Sequence, residues 1–273
     1  MFESFGRSIE LFRTSWGILM ADKKLLVFPV LSGIVSLIVL ATFLIPIIIG
    51  QFLGDAVYIV ALFAFYLVSY FVVIFFNTAL VSCVNARLQG KEMSVGEGIS
   101  NALAHFTSIL AWALVSATVG VVLHLLRERA GVVGQIAAAL VGGAWGLVTF
   151  FVVPILVLED KGVVDSIKES TSLIRKTWGE SIIGSGSIML VFLLIVVAGV
   201  IATLAAIFLA AMMNLGSVIL LIVALAIVVG IVLAVVAAAM QGIFVTALYT
   251  YAKTGSVPSA FNRDLIQNAF VQK

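Results

Sequence analysis

Long apolar runs alternate with short polar stretches along this chain, six runs in all. They cover Leu25 to Gly50, Ala56 to Val84, residues 106–126, Val132 to Leu158, Ile182 to Met213 and Ser217 to Ala252. About 20 apolar residues cross a bilayer as a helix, so each run predicts one span. Tight turns at Gln51–Asp55 and Asn214–Gly216 join neighbouring runs into hairpins. Pro46 predicts a kink or an end in the first span, and Pro154 an unwound end in the fourth. The last two runs exceed about 45 Å at 1.5 Å per residue, against a hydrocarbon core of about 30 Å. They must tilt, bend at Gly199 or Gly230, or project beyond the bilayer.

A second pattern precedes the hairpins. Phe2, Phe5, Ile9, Phe12, Trp16 and Leu19 recur at steps of three and four, with Glu3, Arg7, Glu10 and Arg13 largely off that face. This predicts an amphipathic helix that lies in the membrane interface, packs on the chain's own spans, or does both. Half-burying six such side chains contributes on the order of 5–9 kcal/mol. The segment is written again 162 positions later. Ser4, Ser8, Leu11, Arg13, Trp16 and Gly17 return as Ser166, Ser170, Leu173, Arg175, Trp178 and Gly179. A degenerate copy, similar in pattern only, lies at 88–104 and steps through Val95, Ile99, Ala102 or Leu103, and Phe106. The expected fold is all-α. It has six transmembrane helices in three hairpins, each preceded by a surface helix. The pseudo-threefold modules fall at roughly 1–87, 88–160 and 161–273 of a single membrane domain.

Composition agrees with lipid as the solvent. The chain is 63% hydrophobic and 10% charged, against about 45–50% and about 25% in soluble domains. A formal charge of +2 gives no argument for nucleic acid as a partner. The single cysteine, Cys83, leaves no internal disulfide. Residues 1–20 carry charges instead of a continuous apolar segment, which predicts that they are not a cleavable leader.

The placement of charge says more than its sum. Once the runs are counted as crossings, Arg127 and Arg129 lie on one side and the other thirteen of the 15 lysines and arginines lie opposite. Positive charge stays in the cytoplasm, so both termini and the three surface helices are expected there, in a cytoplasmic membrane. Anionic lipid in that leaflet attracts each nearby cation by roughly 1 kcal/mol.

Candidate chemistry is sparse. The interiors of the six runs hold no Asp, Glu, Lys or Arg, where coupled transporters usually mark their path with such groups. His105 and His124 stand at opposite ends of one run, too far apart for a shared metal, and no Cys/His cluster or phosphate-cradling loop occurs. Neither metal nor cofactor is expected. Gly184–Ser185–Gly186–Ser187 lacks the context of a nucleophile motif and reads as helix packing. Asn77, Gln135 and Gln241 are the main amides within the runs; they line a path or bond to neighbouring helices. Gly142, Gly143 and Gly146 form a small-residue face for close packing, within the chain or between copies.

Several of these segments carry a resemblance. The opening around Ser8 to Trp16 with Lys23 to Pro29, the Phe75–Phe76–Asn77 stretch, Leu114 to Thr118, Trp145 to Pro154, and Glu159–Asp160–Lys161 followed by 166–179 resemble a family of small prokaryotic six-span membrane proteins of unknown function. The resemblance covers nearly the whole chain and implies fold and membrane placement, with no activity attached. By arrangement alone the chain also resembles the membrane domain attached to some glycerophosphodiester phosphodiesterases.

Two functions are expected. In the first, a non-enzymatic protein binds membrane lipid, anionic in the main, or scaffolds a partner, through Arg13, Trp16, Arg175 and Trp178. Tryptophan anchors at headgroup depth and arginine meets phosphate. In the second, several copies form a channel or facilitator for a small solute, with Asn77, Gln135 and Gln241 facing the path. An intramembrane enzyme is not expected, because no titratable constellation supports one.

Overall fold

Helix α1 (Phe2–Ala21) ends where Asp22 turns the chain, its side chain accepting the Lys24 N–H at 3.3 Å. A short 3-10 turn, Lys23–Leu26, leads into α2 (Val27–Leu53). Pro46 sits inside α2 without ending it; the reversal comes at Gly54, whose φ of +112° suits a residue without a side chain. The chain continues through α3 (Asp55–Leu88), α4 (Val95–Ala104), α5 (Phe106–Arg129), α6 (Gly131–Val148) and α7 (Val152–Leu158). It closes with α8 (Val163–Trp178), α9 (Ser187–Met212) and α10 (Gly216–Thr254). This computed structural model describes residues 2–129, 131–178, 187–213 and 215–255, with the side chains of 2–11, 177–178 and 187–191 outside the description. Among the described residues there is no strand.

Among the described residues six segments are long and apolar enough to cross a membrane, one for each of the six runs. The fourth is α6 and α7 together, Gly131–Leu158. The last, Gly216–Thr254, is 39 residues. It runs unbroken through Gly230, as α9 does through Gly199.

Hairpins form between α2 and α3, α5 and α6, and α9 and α10. The shorter amphipathic helices rest on them in a regular way. Helix α4 lies on α3, α8 lies on α6 and α7, and α1 lies on α9 and α10. Each therefore rests on a hairpin other than the one it introduces. Helix α3 is the hub, packing on α2, α4, α5, α7 and α10.

The core lies toward the end where α1, α4 and α8 sit, built on Leu19, Leu25, Phe28, Phe151, Ile155 and Ile243. Contacts at that end link His105 to Asp160 and Lys253 to Glu159. The far end is closed by Arg129 on Asp55. Beyond the core, α9 and the first half of α10 expose leucine, isoleucine and valine on most sides. Lipid is the solvent such a surface requires.

Helix α1 presents a face somewhat rotated from the expected one. Ser15, Ile18 and Leu19 are buried, while Trp16 is 40% exposed. The reason is its partner: Phe12 meets Phe192 of α9 at 5.5 Å between ring centroids, which turns Trp16 outward. Phe2, Phe5 and Ile9 of the expected face lie outside the described side chains.

Candidate functional site

Pro154 sets the site in place. It has no N–H to give the carbonyl four residues earlier, and the fourth span breaks at 149–151 into α6 and α7. The backbone N–H of Phe151, displaced from the helical ladder, donates to Ser170 Oγ of α8 at 3.1 Å. On the opposite wall, α10 approaches α3 closely at Gly242. A Cβ there would come within 2.5 Å of Leu80 Cδ2 and 3.8 Å of Asn77 Oδ1.

Between these elements lies a cavity of about 530 Å³, within the range of small-molecule sites, about 300–1,000 Å³. Its wall is mostly apolar, from Ile74, Leu80, Trp112 and Val153, with polar points at Ser116 and Thr149 and the amides of Asn77 and Gln241. Trp112 and Trp145 stack across one side, centroids 5.8 Å apart. Trp145 also borders a separate apolar groove of about 400 Å³ between α5 and α6. The mouth of the cavity is where Val73, Ala238 and Gln241 are exposed. On the side toward the surface helices Val84, Ile155, Ala247 and Leu248 are buried.

Two of the three expected amides thus meet in one space. Among the described residues neither Asn77 nor Gln241 takes a hydrogen bond, so the expectation that they bond to neighbouring helices is corrected. Gln135 is exposed on α6 and does not line this cavity. The glycine expectation is also corrected in part. A Cβ at Gly142 would only touch Leu123, at 3.5 Å, and Gly143 and Gly146 have nothing within 4 Å. Close approaches within the chain fall at Gly50, Gly98, Gly120 and Gly242, where a Cβ would come within 2.5 to 3.1 Å of a neighbouring helix or side chain.

Arg13 and Arg175 are exposed at the surface-helix end, as is Trp16. The Trp178 side chain lies outside the described residues, as does the Gly184–Gly186 part of the serine–glycine motif. His124 Nε2 lies 3.0 Å from Tyr58 Oη and 3.2 Å from Glu128, an interfacial cluster at the far end. Among the described residues no three His, Cys, Asp or Glu side chains gather as a metal set.

A second polar cluster, not anticipated from the sequence, locks the inner ends of α7, α8 and α10. Glu159 takes Lys161 at 2.6 Å and Lys253 at 2.9 Å, and Tyr249 donates to it. Both lysines also hold Glu169. Burial pushes the Glu159 carboxyl up, but hydrogen bonds from Lys161, Tyr249 and Lys253 outweigh it and hold the group at about 2. Burial also pushes Glu169 up, but hydrogen bonds from Lys161 and Lys253 outweigh it and lower the group, and Lys161 is raised by donating to Glu159 and Glu169. These residues stand far apart in the sequence, so only their sign was readable there.

The fold is that of a polytopic all-α membrane protein with a mostly apolar cavity between α3, α5, α6, α7 and α10. Residues 56–259 match a family described as a family of unknown function, DUF6159, and the chain belongs to it. No curated protein and no solved structure matches, and the resemblance to the phosphodiesterase-linked membrane domain gains no support.

Proposed function

We propose that this is a non-enzymatic, lipid-interacting protein of the cytoplasmic membrane, with both termini on the cytoplasmic side. The observation that carries the reading is the cavity with its mostly apolar wall, its two amides without hydrogen-bond partners among the described residues, and the exposed Val73, Ala238 and Gln241 at its edge. Asn77 stands eleven residues before the end of α3, about 16 Å along the helix. On this reading the mouth lies within the hydrocarbon region and not in water. A polar solute has no aqueous route to such a mouth, whereas a lipid reaches it by lateral diffusion. Asn77 and Gln241 then offer donors and acceptors to an ester or hydroxyl, and the apolar wall takes the adjoining chain. Arg13, Trp16 and Arg175 at the inner surface favour an anionic leaflet. Native mass spectrometry of the purified chain tests this: bound lipid is expected, and Ala238→Trp, which sets a ring across the mouth, should deplete it. Identical lipid retention in the two proteins would end the proposal.

The meeting of Asn77 and Gln241 also favours a second reading, a channel or facilitator assembled from several copies. Its path runs between subunits, because buried side chains stand on the inward side of the cavity. Solute flux into liposomes that falls in Asn77→Leu would favour this reading over lipid binding.

A further inference from the structure

We propose that a separate crevice at the surface-helix end binds the phosphate of an anionic phospholipid headgroup through Lys23, Lys24 and Arg87. The crevice, about 360 Å³, lies between the 3-10 turn, the end of α3 and the loop before α4, and Asp22 and Glu92 line it as well. Among the described residues none of its three cations makes an ion pair, although two carboxylates share the space. The contrast with Lys161 and Lys253, which bind Glu159 and Glu169 tightly, is informative. There the charges have collapsed onto one another. Here they are held apart around open volume, and one Asp22 oxygen is already engaged by the Lys24 N–H. The net charge of the lining is positive, and a phosphate is the group that supplies what the three cations lack.

Position fixes the source of that phosphate. Lys23 and Lys24 immediately precede the apolar run of α2, and Arg87 is the penultimate residue of α3. The crevice is therefore at the level where the chain leaves the hydrocarbon, which is headgroup depth. Met20 and Met93 give it an apolar lip for the glycerol backbone. Nearby, a Cβ at Gly98 would fall 2.6 Å from Cys83 Sγ and 3.0 Å from Phe28 Cζ, so α4 is seated close against α3 and α2. The inference rests on the lipid reading above for the membrane alone, and it uses no residue of the cavity.

The test is native mass spectrometry of the full chain in a neutral maltoside detergent, titrated separately with phosphatidylglycerol, diacylglycerol and inorganic phosphate. Each cation removed near an anionic group weakens binding about fivefold, so Lys24→Gln/Arg87→Gln should hold phosphatidylglycerol about thirtyfold more weakly. Glu92→Gln, which removes a like charge from the phosphate's surroundings, should bind it more tightly, an effect that misfolding does not imitate. Diacylglycerol, lacking phosphate, should bind wild type and double variant alike. Displacement of phosphatidylglycerol by millimolar inorganic phosphate would identify the free ion as the occupant, and resistance to it the lipid. An unchanged phosphatidylglycerol affinity in the double variant, or a parallel loss of diacylglycerol, overturns the assignment. Failure of the cavity reading is distinct, since Ala238→Trp then leaves every adduct as it was while the double variant still loses one.

Discussion

The Phe151 backbone N–H and the Ser170 hydroxyl, 3.1 Å apart, join the break in the fourth span to the helix that repeats the opening of the chain. Both residues are fully buried. A displaced amide in such a place needs an acceptor, and Ser170 supplies it from a different element. The repeated serine is therefore a structural device at this position. Its counterpart, Ser8, lies outside the described side chains.

Ser170→Ala should lower stability by about 1–3 kcal/mol, the usual penalty for leaving a buried donor without its acceptor. Pro154→Ala restores an N–H at the break and allows a more regular helix. In that background the cost of Ser170→Ala should shrink, giving a coupling above about 0.5 kcal/mol in a double-mutant cycle of thermal or denaturant unfolding. Strict additivity would separate the break from the serine.

The glycines divide into two kinds by what stands opposite them. Gly98→Ala drives a methyl toward Cys83 Sγ, Phe28 and the Ala79 carbonyl, at 2.6 to 3.1 Å. It should destabilise by about 1–3 kcal/mol, as overpacking of a close contact does. Gly143→Ala and Gly146→Ala meet open space. They should be neutral or stabilising, by up to about 1 kcal/mol from helix propensity. Melting in nanodiscs measures all three, and a large loss at Gly143 would reveal a contact that forms only between copies.

Much of the architecture was legible because lipid imposes a simple code. An uninterrupted apolar run long enough to cross has few alternatives to a helix. Pro154 pointed to an irregular end of the fourth span, but that end, α7, is helical and the break falls before it, at 149–151. The rest depended on which faces meet. Asn77 and Gln241 lie 164 positions apart, and only the close approach of α10 at Gly242 brings them together. Gln135 looked equivalent in sequence, yet α6 turns it outward. Trp16 belonged to the apolar stripe of α1, but Phe12 took the contact with α9 and left Trp16 at the surface. The Glu159 cluster was hidden for a similar reason, since its members come from α8, α10 and the segment after α7.

That cluster makes stability depend on pH. Glu159 titrates at about 2 when folded, below about 4.3 for an unfolded glutamate. Between these values the unfolded chain binds more protons, so the carboxylate's contribution is complete above about pH 5 and is lost as pH falls toward 2. Glu169 is lowered and acts in the same direction. Lys161 is raised, so its contribution is complete below about pH 10 and is lost only as pH rises through its folded value. The melting temperature should hold steady near neutrality and drop between about pH 5 and pH 3. Glu159→Gln should melt lower at neutral pH and respond less to acid. An equal acid response in both proteins would remove the cluster as its cause.

The orientation rests on the lopsided distribution of cations, and the chain's own cysteine makes it testable. Cys83 is buried, at 5% exposure, so it gives little background with a membrane-impermeant thiol reagent. Gln51 and Lys91 are both exposed, one beside the first hairpin turn and the other in the loop before α4. A helix of 34 residues, long and apolar enough to cross the membrane once, separates them. With the basic side inward, Gln51→Cys should label in intact cells and Lys91→Cys only after the membrane is opened. The reverse pattern would invert the protein, placing the Lys23–Lys24–Arg87 crevice and the surface arginines in the leaflet that carries less anionic lipid. Labelling of both from one side would mean that α3 does not cross, and the cavity mouth would then no longer face the hydrocarbon. Either result strikes at the lipid reading through geometry alone, before any ligand is identified.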